Sequence, residues 1–205
     1  MTFPRRLTLI LGDGLGGGAD SRSSLLLMPA PKETQREPIQ LTIPVLTYRP
    51  ETLVSFGSEA LSRSVLVQLL SMARVRRVVD VRASPSFGSR CTAREFFTAL
   101  SEHGVSYQHA PELANPFVAD SWSDEAWLES YAEYLRGRAR PHLTRLRDEL
   151  SGGPLLLLGR SPGHDGSERQ VIVDELAALN GEFDLTIPAP LGSAAGQVVV
   201  KRTQA

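Results

Sequence analysis

Two carboxylates, four arginines and two histidines carry the chemistry that this sequence could do. Asp80 and Arg82 end the apolar run Val78-Val79-Asp80-Val81-Arg82, and Glu112 closes the stretch His109-Ala110-Pro111-Glu112. Paired acids at successive strand ends suit the work done on glycosidic bonds, one as base or nucleophile and the other as acid. Arg82, Arg90, Arg160 and Arg169 supply guanidinium forks that match phosphate and carboxylate oxygens. His109 and His164 titrate near neutral pH, which makes them candidates for proton transfer or ligand binding. Each has a plainer reading: Asp80 pairs with Arg82 or Arg90, Glu112 caps a loop, and the histidines only hydrogen-bond.

Such residues act together only if the fold brings them together, and the hydrophobic pattern says how. The β-branched run from Val75 to Val81, stopped by Pro85 and Gly88, reads as a buried strand. Before it, Ser62 caps a helix over about residues 63 to 73, with Val65, Leu66, Leu69 and Leu70 on one face. After it, Thr92-Ala93-Arg94-Glu95 is a capping box opening a helix that buries Phe96, Phe97 and Leu100 and stops at Gly104. Val105 to His109 is a second strand.

A long helical region from Ser123 to Leu150 carries the stripe Trp127, Leu128, Tyr131, Tyr134-Leu135 and is broken at Pro141. Leu155-Leu156-Leu157-Leu158, apolar on both faces, reads as a central parallel strand. Val171, Ile172, Val173 and Leu176 mark a last helix before a strand from Glu182 to Ile187. The expected fold is α/β, three layers with a mostly parallel central sheet. The loops after its strands share one edge, which would gather Asp80, Arg82, Arg90, His109, Glu112, Arg160 and His164, with Arg169 in the first turn of the last helix.

Residues 1 to 50 have a different texture and are expected to form a β-rich extension, with strands at Leu7 to Leu11, Ser24 to Met28 and Gln40 to Leu46. Residues 51 to 190 are then the α/β domain, and 191 to 205 a tail or edge strand. The glycine loop Gly12 to Gly18 reads as a hairpin turn, because a dinucleotide fingerprint requires a helix directly after it.

A formal net charge of -1 gives no overall attraction to nucleic acid or membrane, so any basic surface is local, as in Arg136, Arg138, Arg140, Arg145 and Arg147. Cys91 is the one cysteine, which excludes an internal disulfide and a four-thiolate zinc site. It reads as a small buried filler rather than a nucleophile. The apolar run at Leu7 to Leu11 is too short for a signal peptide and no stretch approaches a membrane span, so a cytoplasmic protein is expected.

The order Val78-Val79-Asp80-Val81-Arg82, a Pro/Ser-rich loop, a helix, Val105-Ser106-Tyr107-Gln108-His109 and Pro111-Glu112-Leu113 resembles the domain-of-unknown-function 488 family over about residues 54 to 187. The resemblance implies a cysteine after the leucine strand and a Cys-His-Arg motif opening the last helix. Here Gly159-Arg160-Ser161-Pro162-Gly163-His164 and Arg169 occupy that region without cysteine, so only Arg169 and His164 stand as counterparts.

These readings converge on a protein that binds an anionic, nucleotide-like small molecule at the carboxyl edge of its sheet, with Arg82 and Arg169 holding the anion. If it is an enzyme, Asp80 and Glu112 serve a metal-independent hydrolase or transferase, with no cofactor indicated. The alternatives are a non-catalytic binding or accessory protein and a nucleic-acid binder using the arginine-rich helices. A homodimer is compatible with either.

Overall fold

The computed structural model describes residues 41–42, 51–117, 124–179, 183–190 and 201–202, all within the compact unit Glu37–Ala205. Their elements are β1 (Leu41–Thr42), β2 (Thr52–Gly57), α1 (Arg63–Met72), β3 (Arg77–Asp80), α2 (Ala93–Glu102), β4 (Ser106–His109), α3 (Asp124–Arg136), α4 (Arg140–Leu150), β5 (Leu155–Gly159), α5 (Glu168–Ala178), β6 (Asp184–Thr186), β7 (Ala189–Pro190) and β8 (Lys201–Arg202). The strands expected at Leu7 to Leu11 and Ser24 to Met28, and the glycine loop, lie outside the described residues.

The main sheet runs in the order β4-β3-β5-β2-β6-β8. Its first five strands are parallel, and β8 adds to β6 antiparallel. A separate antiparallel pair joins β1 to β7. The strand β2 escapes the hydrophobic pattern because a polar residue, Ser55, interrupts its apolar run. It nonetheless lies inside the sheet between β5 and β6, with every residue buried.

Alternation of side chains sends successive strand residues to opposite faces, and two hydrophobic layers result. Leu53, Val79, Leu155 and Leu157 pack with Tyr131, Leu135, Leu143, Leu146, Ile172 and Leu176 of α3, α4 and α5. Val54, Phe56, Val78, Leu156 and Leu158 pack with Val65, Leu66, Leu69, Phe96 and Leu100 of α1 and α2. The aromatic stripe of α3 is therefore core: Tyr131 is fully buried, and Trp127 and Tyr134 lie against the same cluster.

Local signals set the helix ends. The Ser62 hydroxyl accepts from the Val65 N–H, and the Thr92 hydroxyl accepts from the Glu95 N–H while the Glu95 carboxylate accepts back from the Thr92 N–H at 2.8 Å. The bonds that the Glu95 carboxylate accepts from the Thr92 N–H and hydroxyl hold it below its ordinary range. Thr92→Ala is expected to cost about 1 kcal/mol of stability, read from the urea midpoint. Pro141 does not break the long helical region. It sits in the first turn of α4, where a missing N–H costs nothing, and the break falls at residues 137–139. Among the described residues no helix is long and apolar enough to cross a membrane.

Candidate functional site

The strand order makes a crevice. The chain leaves β2 and β3 for α1 and α2 on one face and leaves β5 for α5 on the other, so the loops diverge where β5 lies between β3 and β2. In open α/β sheets such a divergence at the carboxyl ends is where ligands sit. A cleft of about 290 Å³ opens there, lined by Ser58, Glu59 and Leu61 after β2, Arg82, Ser86, Phe87, Gly88, Ser89, Arg90 and Cys91 after β3, and Arg160 after β5.

Arg82 is the fixed point of this cleft. Asp80, fully buried, accepts from Arg82 Nε at 2.8 Å and from its backbone N–H at 3.1 Å on Oδ1, and from Arg82 Nη2 at 2.6 Å on Oδ2. The Tyr107 hydroxyl donates to the same Oδ2 at 2.9 Å. Arg82 Nη1 donates to the Ser86 carbonyl at 2.5 Å, and the guanidinium lies 5.3 Å from the centre of the Phe87 ring. His109 Nε2 donates to the Arg82 carbonyl at 2.8 Å. Burial, then the Asp80 charge, pushes the Tyr107 hydroxyl well above its ordinary range, so it stays a donor. Of the five guanidinium N–H groups, three go to Asp80 and Ser86, and Arg82 lines the cleft with its side chain only 4% exposed.

The walls are tied together through the backbone. The Glu59 N–H donates to the Arg160 carbonyl at 3.2 Å, and the Arg63 N–H donates to the Arg90 carbonyl at 3.2 Å. Arg160 in turn donates its N–H to the Glu168 carboxylate at 2.7 Å, fixing the loop against the start of α5. Cys91 is buried at the cleft's edge, and desolvation, then the nearby Glu95 charge, pushes its thiol up and away from thiolate.

A second polar cluster lies at the ends of β2 and β5 towards α5. Arg169, only 1% exposed, donates from Nη1 to Ser55 Oγ at 3.0 Å and from Nη2 to the carbonyls of Ser161, at 2.7 Å, and Gly163. The Ser55 hydroxyl meets His164 Nδ1 at 2.9 Å. The Ser55 hydroxyl, accepting from Arg169, keeps one proton and one lone pair for His164 Nδ1, so the imidazole tautomer sets the direction of that bond. Desolvation brings the Arg169 guanidinium down to about 10. The loop approaches because the strands end in glycine: Gly57 and Gly159 stand side by side in register, and a Cβ on Gly57 would lie 1.7 Å from the Ser161 carbonyl oxygen.

The residues expected to share one site are thus divided. Arg82, Arg90 and Arg160 share the cleft. Arg169 and His164 pin the loop between β5 and α5, because both are buried and face inward to Ser55. Glu112 lies apart, lining a separate cleft of about 420 Å³ with Arg77, Gln108, His109, His142 and Arg145. Tyr134 and Tyr131 hold the Glu112 turn by donating to the carbonyls of Glu112 and Leu113. Asp80 and Glu112 do not face a common space, and Asp80 already accepts four hydrogen bonds. Sequence reasoning passed over Glu59, Tyr107 and Phe87, which are placed by tertiary packing alone. The paired glycines Gly57 and Gly159, each ending an apolar run, were the legible clue.

Among the described residues no group of three or more His, Cys, Asp or Glu could hold a metal ion. The family model described as Domain of unknown function DUF488 matches residues 62–176, more than half of the chain. No curated protein and no solved structure matches.

Proposed function

Since this chain belongs to the DUF488 family, we propose, from the site itself, that it binds a small anionic, nucleotide-like molecule in the cleft that joins Arg82, Arg90 and Arg160. The observation that carries this reading is the state of Arg82. Its guanidinium is held by a buried carboxylate and still lines the cleft, so the side chain is ordered before any ligand arrives. Asp80 offsets the Arg82 charge, Glu59 approaches Arg160 only to 3.5 Å, and among the described residues Arg90 lines the cleft without an ion-pair partner. A monoanion, or a dianion shared with the Ser58, Ser86 and Ser89 positions, suits that balance.

The reading favours binding over reaction. Asp80 is occupied in positioning Arg82, and the Cys91 thiol is kept protonated by its surroundings. A hydrolase or transferase built on Asp80 and Glu112 receives less support, because the two acids are separated. The arginines of α3 and α4 also support nucleic-acid binding less than their number suggests, since Arg136 is bound to Glu175 at 2.7 Å and Arg145 to Glu149 at 3.1 Å.

Thermal-shift measurements with inorganic phosphate, nucleotides and sugar phosphates test the proposal. A ligand that binds only the folded form raises the melting temperature by mass action. Phosphate or its esters are expected to stabilise the wild type and to lose that effect in Arg90→Ala, whose exposed side chain makes little contribution to stability. An unchanged ligand-induced shift in Arg90→Ala would place the anion elsewhere.

A further inference from the structure

The cleft contains a residue that an anion site does not need. Glu59 lines it beside Arg160, and a carboxylate in the wall repels phosphate at that end. Its partner does not absorb it: the closest approach, Arg160 Nε to Glu59 Oε1, is 3.5 Å, longer than a good charge-assisted hydrogen bond. Both side chains stay accessible, with 54% of Glu59 and 71% of Arg160 exposed. The backbone at this point is nevertheless fixed, because Glu59 N–H donates to the Arg160 carbonyl. A carboxylate on a fixed stretch of backbone that accepts no hydrogen bond among the described residues is suited to a donor on the ligand.

The cleft wall therefore carries two chemically different kinds of group. Arg82 and Arg90 come from the loop after β3 and favour negative charge, and Glu59, from the loop after β2, favours a hydroxyl or amine. Leu61 and Phe87 add apolar surface to the same lining. A volume of about 290 Å³ lies at the small end of ligand pockets.

Resting on the proposed anion site, we infer that its ligand is a phosphorylated sugar unit, either a free pentose phosphate or the ribose phosphate of a nucleotide, and that Glu59 reads the sugar hydroxyls. The phosphate lies at Arg82 and Arg90, the ring covers Leu61 and Phe87, and the hydroxyls donate to Glu59. Inorganic phosphate fills only the first part of this arrangement.

Isothermal titration calorimetry of the full chain with inorganic phosphate, ribose 5-phosphate and AMP separates the two levels of the argument. Ribose 5-phosphate is expected to bind the wild type about tenfold or more tightly than phosphate, the size of one hydrogen bond to a charged group. Glu59→Ala is expected to collapse that preference while phosphate affinity stays equal or rises, because a repelling charge is gone. Equal affinity for AMP assigns a free sugar phosphate, and tighter binding of AMP assigns a nucleotide; both uphold the role of Glu59 if its removal collapses the preference. Phosphate binding with no preference for ribose 5-phosphate, or a preference that survives Glu59→Ala, overturns the sugar assignment and leaves the anion site standing. Binding of none of the three overturns both.

Discussion

Arg82→Ala is expected to be the most damaging single change at the cleft. It removes both charge-assisted side-chain bonds to Asp80 and leaves that carboxylate fully buried, with the Tyr107 hydroxyl as its remaining side-chain donor. Breaking a buried pair from one side costs about 3–5 kcal/mol. That is a large part of the about 5–15 kcal/mol that holds an ordinary domain folded. Urea denaturation measures the loss, and the double variant Asp80→Asn/Arg82→Ala provides the control. Since the cost arises mainly from a stranded charge, neutralising Asp80 is expected to recover a substantial part of it. A single variant within 1 kcal/mol of the wild type would show that Asp80 finds other solvation, a threshold set by the small value of surface pairs. The contrast with Arg90→Ala is the useful part, because Arg82 is buried in an ion pair whereas the Arg90 side chain is exposed.

Gly57→Ala is expected to have the second large effect, through shape alone. The new Cβ would meet the Ser161 carbonyl oxygen at 1.7 Å and the Pro162 Cα at 2.9 Å, both of them backbone atoms that no rotamer change can move aside. The loop must retreat, and it carries the carbonyls of Ser161 and Gly163 that Arg169 holds. Overpacking alone costs about 1–3 kcal/mol, and each buried donor left without its carbonyl adds about 1–3 kcal/mol. The same retreat displaces Arg160, so ligand binding is expected to weaken with stability. Denaturation and calorimetry on one preparation check both. If Gly57→Ala retains wild-type stability, the close approach of the loop to β2 is not required by the fold.

Most of the architecture was legible because burial is written directly into this sequence. Leu155 to Leu158 is apolar on both faces, and the hydrophobic stripes, with a serine cap on α1 and a capping box on α2, set α1, α2, α4 and α5 to within a few residues. The strand β2 was not legible, because Ser55 interrupts its apolar run in order to meet His164 and Arg169. A polar residue in a central strand looks like a loop until its partners, more than a hundred positions away, are in place.

The site was legible in composition and less so in geometry. Asp80 and Arg82 were visible as a pair, and the structure joins them. The separation of Glu112 from Asp80 follows from which face each loop takes after its strand, and sequence does not carry that choice. Arg169 was read as an anion ligand because it opens a helix, yet its long side chain turns inward to the glycine-ended strands. Glycine at both strand ends is the only local sign that something must pass close by.

The strand order has a consequence for the growing chain. β2 and β3 are successive in sequence but are not neighbours, since β5 lies between them. The parts of the cleft contributed by residues 58–61 and 82–91 therefore have no sheet to bind them into one surface until Leu155–Gly159 has been synthesised. During translation β2 and β3 stand in wait for a strand made some 75 residues after β3 ends, as the bounds of β3 and β5 show. Contacts of such long separation close late. A nascent chain that stops short of β5 thus holds two of the loops that line the cleft without the strand that sets them side by side.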